Sequence, residues 1–256
     1  MSSDTGNRPL LRPAHTKGAS VREVEPGCWK LEIPGGPKGK YRLAQLDDYT
    51  HLRRRNYPRN PPFQLSLRAR SSSGSIPGTW GFGLWNDPFG MGIIGGVDLV
   101  RLPALPNTAW FFFSSPENYL SLRDDLPSTG ATAGVFRSPK IPTPLLALGA
   151  PGAVLALFKP GVRLLRRLAR LLVKQETVLL EIDPTEWHSY RLDWQKNSSR
   201  FWVDESLVLE TNTPPLGPMG LVIWVDNQYA ALSPSGEARF GTLENDPAWI
   251  EVSEIK

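Results

Sequence analysis

Proline and glycine interrupt this chain so often that only one stretch leaves room for a long helix: 25 Pro and 23 Gly are spread over 256 residues. Both residues end helices and open turns, so what lies between them must be short. The runs between the interruptions have the period of strands. In Phe63-Gln64-Leu65-Ser66-Leu67-Arg68-Ala69-Arg70, the apolar Phe63, Leu65, Leu67 and Ala69 share one face and the polar residues the other. That is the pattern of a half-buried antiparallel strand. Further strands are predicted at 28–33, 79–85, 109–113, 177–182, 189–194, 200–203, 207–210, 221–225 and 250–255, with residues 41–62 read as loop. Many short strands joined by turn residues predict an all-β sandwich or barrel, and a 40% hydrophobic composition supplies its core. Residues 1–20 read as a disordered tail and residues 21–256 as one domain.

Cys28 is the sole cysteine, which excludes an intrachain disulfide framework and a Cys-rich metal site and suits a reducing compartment. The N-terminus has no apolar run of signal-peptide length, and no uncharged apolar stretch is long enough to span a membrane. The expected location is cytoplasmic, with a membrane-peripheral site left open. Net charge is +4, but residues 175–256 hold 14 Asp/Glu against 5 Lys/Arg, so the rest of the chain is strongly basic. The cluster Arg53-Arg54-Arg55 with Arg59 comes with no nucleic-acid motif, so it reads as a solvated loop and no nucleic-acid partner is expected.

Residues 143–174 stand apart. Val162, Leu164, Leu165, Leu168, Leu171, Leu172 and Val173 recur at three- and four-residue spacing, and Arg163, Arg166, Arg167, Arg170 and Lys174 fall away from them. This predicts an amphipathic basic helix. Residues 145–158 are almost wholly apolar but broken by Gly149, Pro151 and Gly152. Besides a lid or an oligomer contact, two readings stay open for this insertion. Arg163, Arg166, Arg167 and Arg170 could meet an anionic membrane surface, or the helix could cover a sheet edge with its arginines in water.

Residues 187–204, Trp-His-Ser-Tyr-Arg-Leu-Asp-Trp followed by a polar turn and Arg-Phe-Trp-Val-Asp, resemble a strand pair of family 16 glycoside hydrolases, the laminarinase and lichenase group. Arg70 followed ten residues on by Gly78-Thr79-Trp80, and the closing Trp249-Ile250-Glu251-Val252, are similar to two more segments of that family. The resemblance implies a concanavalin A-like jelly-roll β-sandwich, here with a helical insertion. It implies activity only where the family's two glutamates are present, on one strand as Glu-x-Asp-x-Glu or Glu-x-Asp-x-x-Glu, about 5–5.5 Å apart for a retaining displacement. At the expected distance after Gly78-Thr79-Trp80 the sequence reads Gly96-Val97-Asp98-Leu99-Val100-Arg101, so Gly96 and Arg101 occupy the catalytic positions. Glycosidase chemistry is therefore disfavoured. Glu181-Ile182-Asp183-Pro184-Thr185-Glu186 matches the motif by letter, but Pro184 disfavours a central strand, and a turn is the expected role.

Two strand ends share a style. Trp85-Asn86-Asp87 closes one, and Trp224-Val225-Asp226-Asn227-Gln228-Tyr229 closes another. If both lie on the concave sheet, Trp85, Asn86, Asp87, Trp224, Asp226, Asn227, Gln228 and Tyr229 line one cleft, where indole faces stack on a flat ligand and amides and carboxylates orient it. The competing reading puts the tryptophans in the core and the Asn-Asp pairs in turns. Trp110-Phe111-Phe112-Phe113 reads as a strand buried on both faces, and His188 as a hydrogen-bonded structural residue. No HExxH, phosphate loop, dinucleotide fingerprint or EF-hand spacing occurs, so no cofactor or metal is implied. The leading expectation is a non-hydrolytic carbohydrate or small-ligand binding protein. Two alternatives remain: an enzyme using cleft carboxylates such as Asp87 and Asp226 on a glycoside or a hydrophobic substrate, and a peripheral membrane protein anchored by residues 143–174.

Overall fold

A computed structural model describes residues 11–88, 90, 103–141 and 155–256. Gly96, Arg101 and residues 142–154 lie outside the described part of the chain. Two seven-stranded antiparallel sheets face one another. The first runs β1 (Arg12–His15), β4 (Leu43–Asp47), β13 (Gly220–Asp226), β6 (Thr79–Trp85), β7 (Thr108–Ser114), β8 (Gly130–Arg137), β9 (Lys174–Leu179). The second runs β12 (Ser206–Thr211), β11 (Ser199–Val203), β10 (His188–Trp194), β5 (Phe63–Ser71), β16 (Ala248–Ser253), β3 (Cys28–Ile33), β2 (Ser20–Glu25). A separate hairpin joins β14 (Gln228–Leu232) to β15 (Ala238–Thr242). This is the jelly-roll sandwich, and α1 (Lys159–Leu172) between β8 and β9 is its one long helix among the described residues. No helix among them is long and apolar enough to cross a membrane.

Strand alternation builds the core. Across the first sheet the register aligns Leu46, Ile223, Phe82, Phe111 and Ala133 in one row, each essentially without solvent contact. Leu65, Leu67, Tyr190, Leu192, Phe201, Ile250 and Val252 reach them from the second sheet and complete one apolar layer. Period two then forces the intervening residues of the first sheet onto its other face. On that face Leu43, Val222, Trp224 and Phe112 form a second apolar cluster with Tyr49 and Tyr57.

The structure departs from the sequence reading in identifiable places. Residues 12–15, read as tail, form β1 by pairing with β4, and β4 itself lies in the segment read as loop. Isolated from its partners, a four- or five-residue strand leaves too few alternating positions to register. Strand β9 begins three residues before its predicted start, directly after α1.

The orientation of α1 is the larger correction. Its two readings both placed the arginines in contact with water or lipid, yet Arg166 is 4% exposed while Leu171 is 81% exposed. Arg166 donates to the carbonyl oxygens of Ser121 (2.9 Å) and Leu122 (3.2 Å) and to that of Leu232, and pairs with Asp124 at 2.8 Å. Its guanidinium also lies 5.3 Å from the centre of the Tyr119 ring. Arg170 donates to the Leu122 carbonyl at 2.7 Å and pairs with the same Asp124. A guanidinium carries five donors in a fixed fork, and here a ring of carbonyls satisfies them. Arg166 and Arg170 are thus docking residues of the helix, exposed Arg163 donates to the Ser235 carbonyl at 3.0 Å, and Arg167 is exposed.

Candidate functional site

The outer face of the first sheet holds a cleft of about 320 Å3. Its floor follows from cross-strand register. One row across the sheet reads Gln45, Trp224, Gly81, Phe112, Thr132, and the next reads Asp47, Val222, Gly83, Trp110, Gly134. Large rings alternate with glycines. A Cβ on Gly81 would sit 2.9 Å from the Trp224 ring and 2.3 Å from the Phe111 carbonyl, and one on Gly83 would meet the Trp110 Cβ at 2.7 Å. The glycines are what let two indoles lie down on the sheet.

Trp85, Trp110 and Trp224 converge on this floor. The Trp85 and Trp224 planes are within 4° of parallel with centroids 6.3 Å apart. Trp110 stands 5.8 Å from Trp224 and 6.3 Å from Trp85, inclined by just over 40° to each. Phe112 lies beside them, and the exposed Phe240 of β15 rises at the rim. Sequence alternation assigned Trp110 and Phe112 to a buried strand; the other pair of that strand, Phe111 and Phe113, does fill the core.

Asp226 sits at one end. Its Oδ1 accepts from the Thr79 hydroxyl (2.8 Å), the Thr79 amide (3.3 Å) and the Gln228 amide (3.2 Å), and its Oδ2 accepts from the Tyr41 hydroxyl (3.2 Å). The Trp224 indole donates to the same Thr79 hydroxyl at 3.0 Å, so the ring and the carboxylate are held through one residue. Burial pushes the Asp226 carboxyl up to about 6, against the hydrogen bonds that favour its charged form. Burial and the neighbouring Asp226 together push the Tyr41 hydroxyl well above its ordinary value.

Asp87 also lines the cleft, in the left-handed region at φ 48°, with its carbonyl held by Arg54 at 2.6 Å. It lies at the other end. Asp226 is opposite Thr79, and Trp85 is six residues further along β6, a distance of roughly 20 Å at the rise of an antiparallel strand. Asp87 follows Trp85 by two more residues. Among the described residues no glutamate lines the cleft, and β7, the described strand that follows β6 and pairs with it, carries no carboxylate.

Of the other residues singled out in the sequence, Gln228 and Tyr229 line the cleft. Asn86 and Asn227 do not, which corrects their placement. The Asn86 amide bonds the Leu105 carbonyl and the Asn107 amide, both at 2.9 Å. Asn227 accepts from the Arg42 amide and donates to the Lys40 and Leu243 carbonyls. Their side chains brace loops, as turn asparagines do. Glu181 and Glu186 flank an exposed turn in which Asp183 accepts from Thr185, and neither reaches the cleft. His188 bonds Asp204 at 2.5 Å and the Asp183 carbonyl at 2.9 Å. Tyr41, Gln45, Tyr49 and Asn118 also line it. Sequence reading passed over the first three because they fall in the segment taken as loop. No group of three or more His, Cys, Asp or Glu side chains converges among the described residues.

Comparison with solved structures bears on the fold. The fold is that of a known glucanase. The Bacillus licheniformis β-glucanase superposes with a TM-score of 0.51 at 11% identity, over 96% of this chain and 91% of its own. A family 16 endo-glucanase from Bacteroides ovatus gives 0.49 at 10% identity, over 96% and 94%. The chain thus shares the jelly-roll architecture of the Bacillus licheniformis enzyme, the fold that the strand-pair resemblance implied. No protein-family model matches the sequence, and no curated protein matches it.

Proposed function

We propose that this chain binds a short carbohydrate in the cleft of the first sheet and does not hydrolyse it. The observation that carries the reading is the floor: three indoles over a glycine-cleared sheet, with a buried carboxylate at each end. Indole faces take up the apolar face of a sugar ring, and convergent polar groups fix its orientation. The volume, near the lower end of the roughly 300–1,000 Å3 typical of small-ligand sites, favours a short segment over a long polymer. That the solved structures of like fold are described as glucanases supports a glycan as the ligand class.

Two carboxylates within about 10 Å are the requirement for either glycosidase stereochemistry. Asp87 and Asp226 stand at opposite ends of the cleft, so they do not supply that pair. The enzyme reading keeps one argument, the Asp226 carboxyl at about 6, a value suited to a proton donor near neutral pH.

The test is a panel of β-glucan oligosaccharides, followed by tryptophan fluorescence for binding and by reducing-end release for turnover. The expected result is binding without release, weakened about tenfold in Trp85→Ala, the loss of one good aromatic contact. Release of new reducing ends that disappears in Asp226→Asn would replace the binding reading with the enzymatic one. Unchanged affinity in both Trp85→Ala and Trp110→Ala would remove the cleft as the site.

A further inference from the structure

We propose that the outward face of α1 is a docking surface for an anionic membrane. The helix is fixed leucine-out. Leu164, Leu168 and Leu171 recur at i, i+4 and i+7 on the side opposite Val162 and Arg166, and all three are exposed. Leu157 and Phe158, 76% and 61% exposed, extend this face ahead of the helix. A half-turn rotation would bury these leucines, and the buried Arg166 with its carbonyl ring prevents it. The chain therefore holds an apolar stripe in water by means of a specific polar lock.

Charge identifies the occupant. Exposed Lys159, Arg163, Arg167 and Lys174 accompany the stripe, and no acidic residue lies on the helix. The nearest carboxylates in the docking loop are already paired, Asp124 with Arg166 and Arg170 and Asp125 with Arg123. Leucines that enter the headgroup boundary beside unpaired cations form the pattern of an interfacial helix on anionic lipid. Packing two copies along the stripe would instead bring cations of one against those of the other. The arginines assigned to lipid by sequence were the whole set; the structure divides them, with Arg166 and Arg170 locking the helix, and with exposed Arg163, one nitrogen of which donates to the Ser235 carbonyl, and exposed Arg167 presenting their charge to headgroups.

The experiment is co-sedimentation of the full chain with phosphatidylcholine vesicles, with and without phosphatidylserine. Binding is expected only when phosphatidylserine is present. Leu168→Gln with Leu171→Gln should weaken it about tenfold per leucine, and Arg163→Gln with Arg167→Gln about fivefold per charge. All four side chains are exposed, so tryptophan emission should stay that of the folded protein. Absence of binding, or equal binding to both vesicles, overturns the proposal. So does a wild-type dimer that Leu168→Gln with Leu171→Gln dissociates while vesicles stay unbound, because the stripe would then serve a second copy.

Discussion

Replacing Asp226 by Asn should stabilise the protein at neutral pH and not in acid. The side chain is 6% exposed, and its carboxyl is raised from 3.8 to about 6, chiefly by desolvation. The folded state therefore holds the proton more tightly than the unfolded chain. Stability from the protonated group is present in full below about pH 4 and is lost as pH rises through 6, so above 6 the fold carries the whole penalty of a buried charge. Two pK units at 1.36 kcal/mol each set that penalty at about 3 kcal/mol. Asparagine mimics the neutral acid. Its carbonyl oxygen can keep the three donors on Oδ1, and its amide can donate to a reoriented Tyr41 hydroxyl, a rearrangement costing about 1 kcal/mol. The net gain is then about 2 kcal/mol at pH 8, and near pH 4, where only the rearrangement is left, the substitution costs up to about 1 kcal/mol. Urea unfolding of both proteins at the two pH values measures it, because every other titrating group cancels in the difference. A gain equal at both pH values, or a loss at pH 8, would refute the reasoning, since either means that the Asp226 charge is not what the fold opposes.

The same carboxylate sets a pH dependence on binding: if it orients the ligand as an acceptor, wild-type affinity for an oligosaccharide should rise as pH passes 6, and the Asp226→Asn protein should show a flat titration. Gly81→Ala should cost about 1–3 kcal/mol in urea unfolding, because its Cβ meets the immovable Phe111 carbonyl at 2.3 Å as well as Trp224. Arg166→Met should destabilise by about 3 kcal/mol, leaving the Ser121, Leu122 and Leu232 carbonyls without their donor. Hydrogen exchange of residues 119–125 reports whether that loss is local, as the lock requires.

Strand existence was legible where long alternation fell between large apolar and polar residues; Gly130–Arg137, eight residues of mostly Gly, Ala and Thr, was missed, as was Ser20–Glu25. Residues 63–70 and 79–85 carry eight and seven positions each, and the structure places strands there. Leu43–Asp47 has five, and its alternation of Ala44 and Leu46 against Gln45 and Asp47 is masked by Leu43 on the polar side. What alternation cannot show is which of two apolar faces meets the other sheet. In β7 both faces are aromatic, and only the cross-strand register separates Phe111 in the core from Trp110 over Gly83. The two clusters of the site were visible as strand ends rich in Trp, Asp and amides, yet the roles of adjacent residues were not. Trp224 and Asp226 share a face because they are two apart, and Asn227, one further, turns away into a loop brace. The helix shows the same limit. Its period was plain, but its orientation depended on a ring of carbonyls from residues 121–123 and 232 that no local pattern announces.

That ring also connects two surfaces of the molecule. Arg166 reaches the Leu232 carbonyl and Arg163 the Ser235 carbonyl, both in the hairpin of β14 and β15. The same hairpin supplies Gln228, Tyr229 and Phe240 to the cleft. On its other side Asn118 accepts from the Ala230 amide and Tyr119 pairs with Ala231. A two-stranded hairpin outside both sheets has little stability alone. Here it is held between a loop that carries Arg166's carbonyls and a helix that carries Arg166. The wall of the cleft and the leucine stripe are therefore fixed to one another through two guanidiniums, of which that of Arg166 is buried, and this gives the buried arginine a reason to be there that packing alone does not: a leucine at 166 would pack beside Val162 but give up the bond to the hairpin.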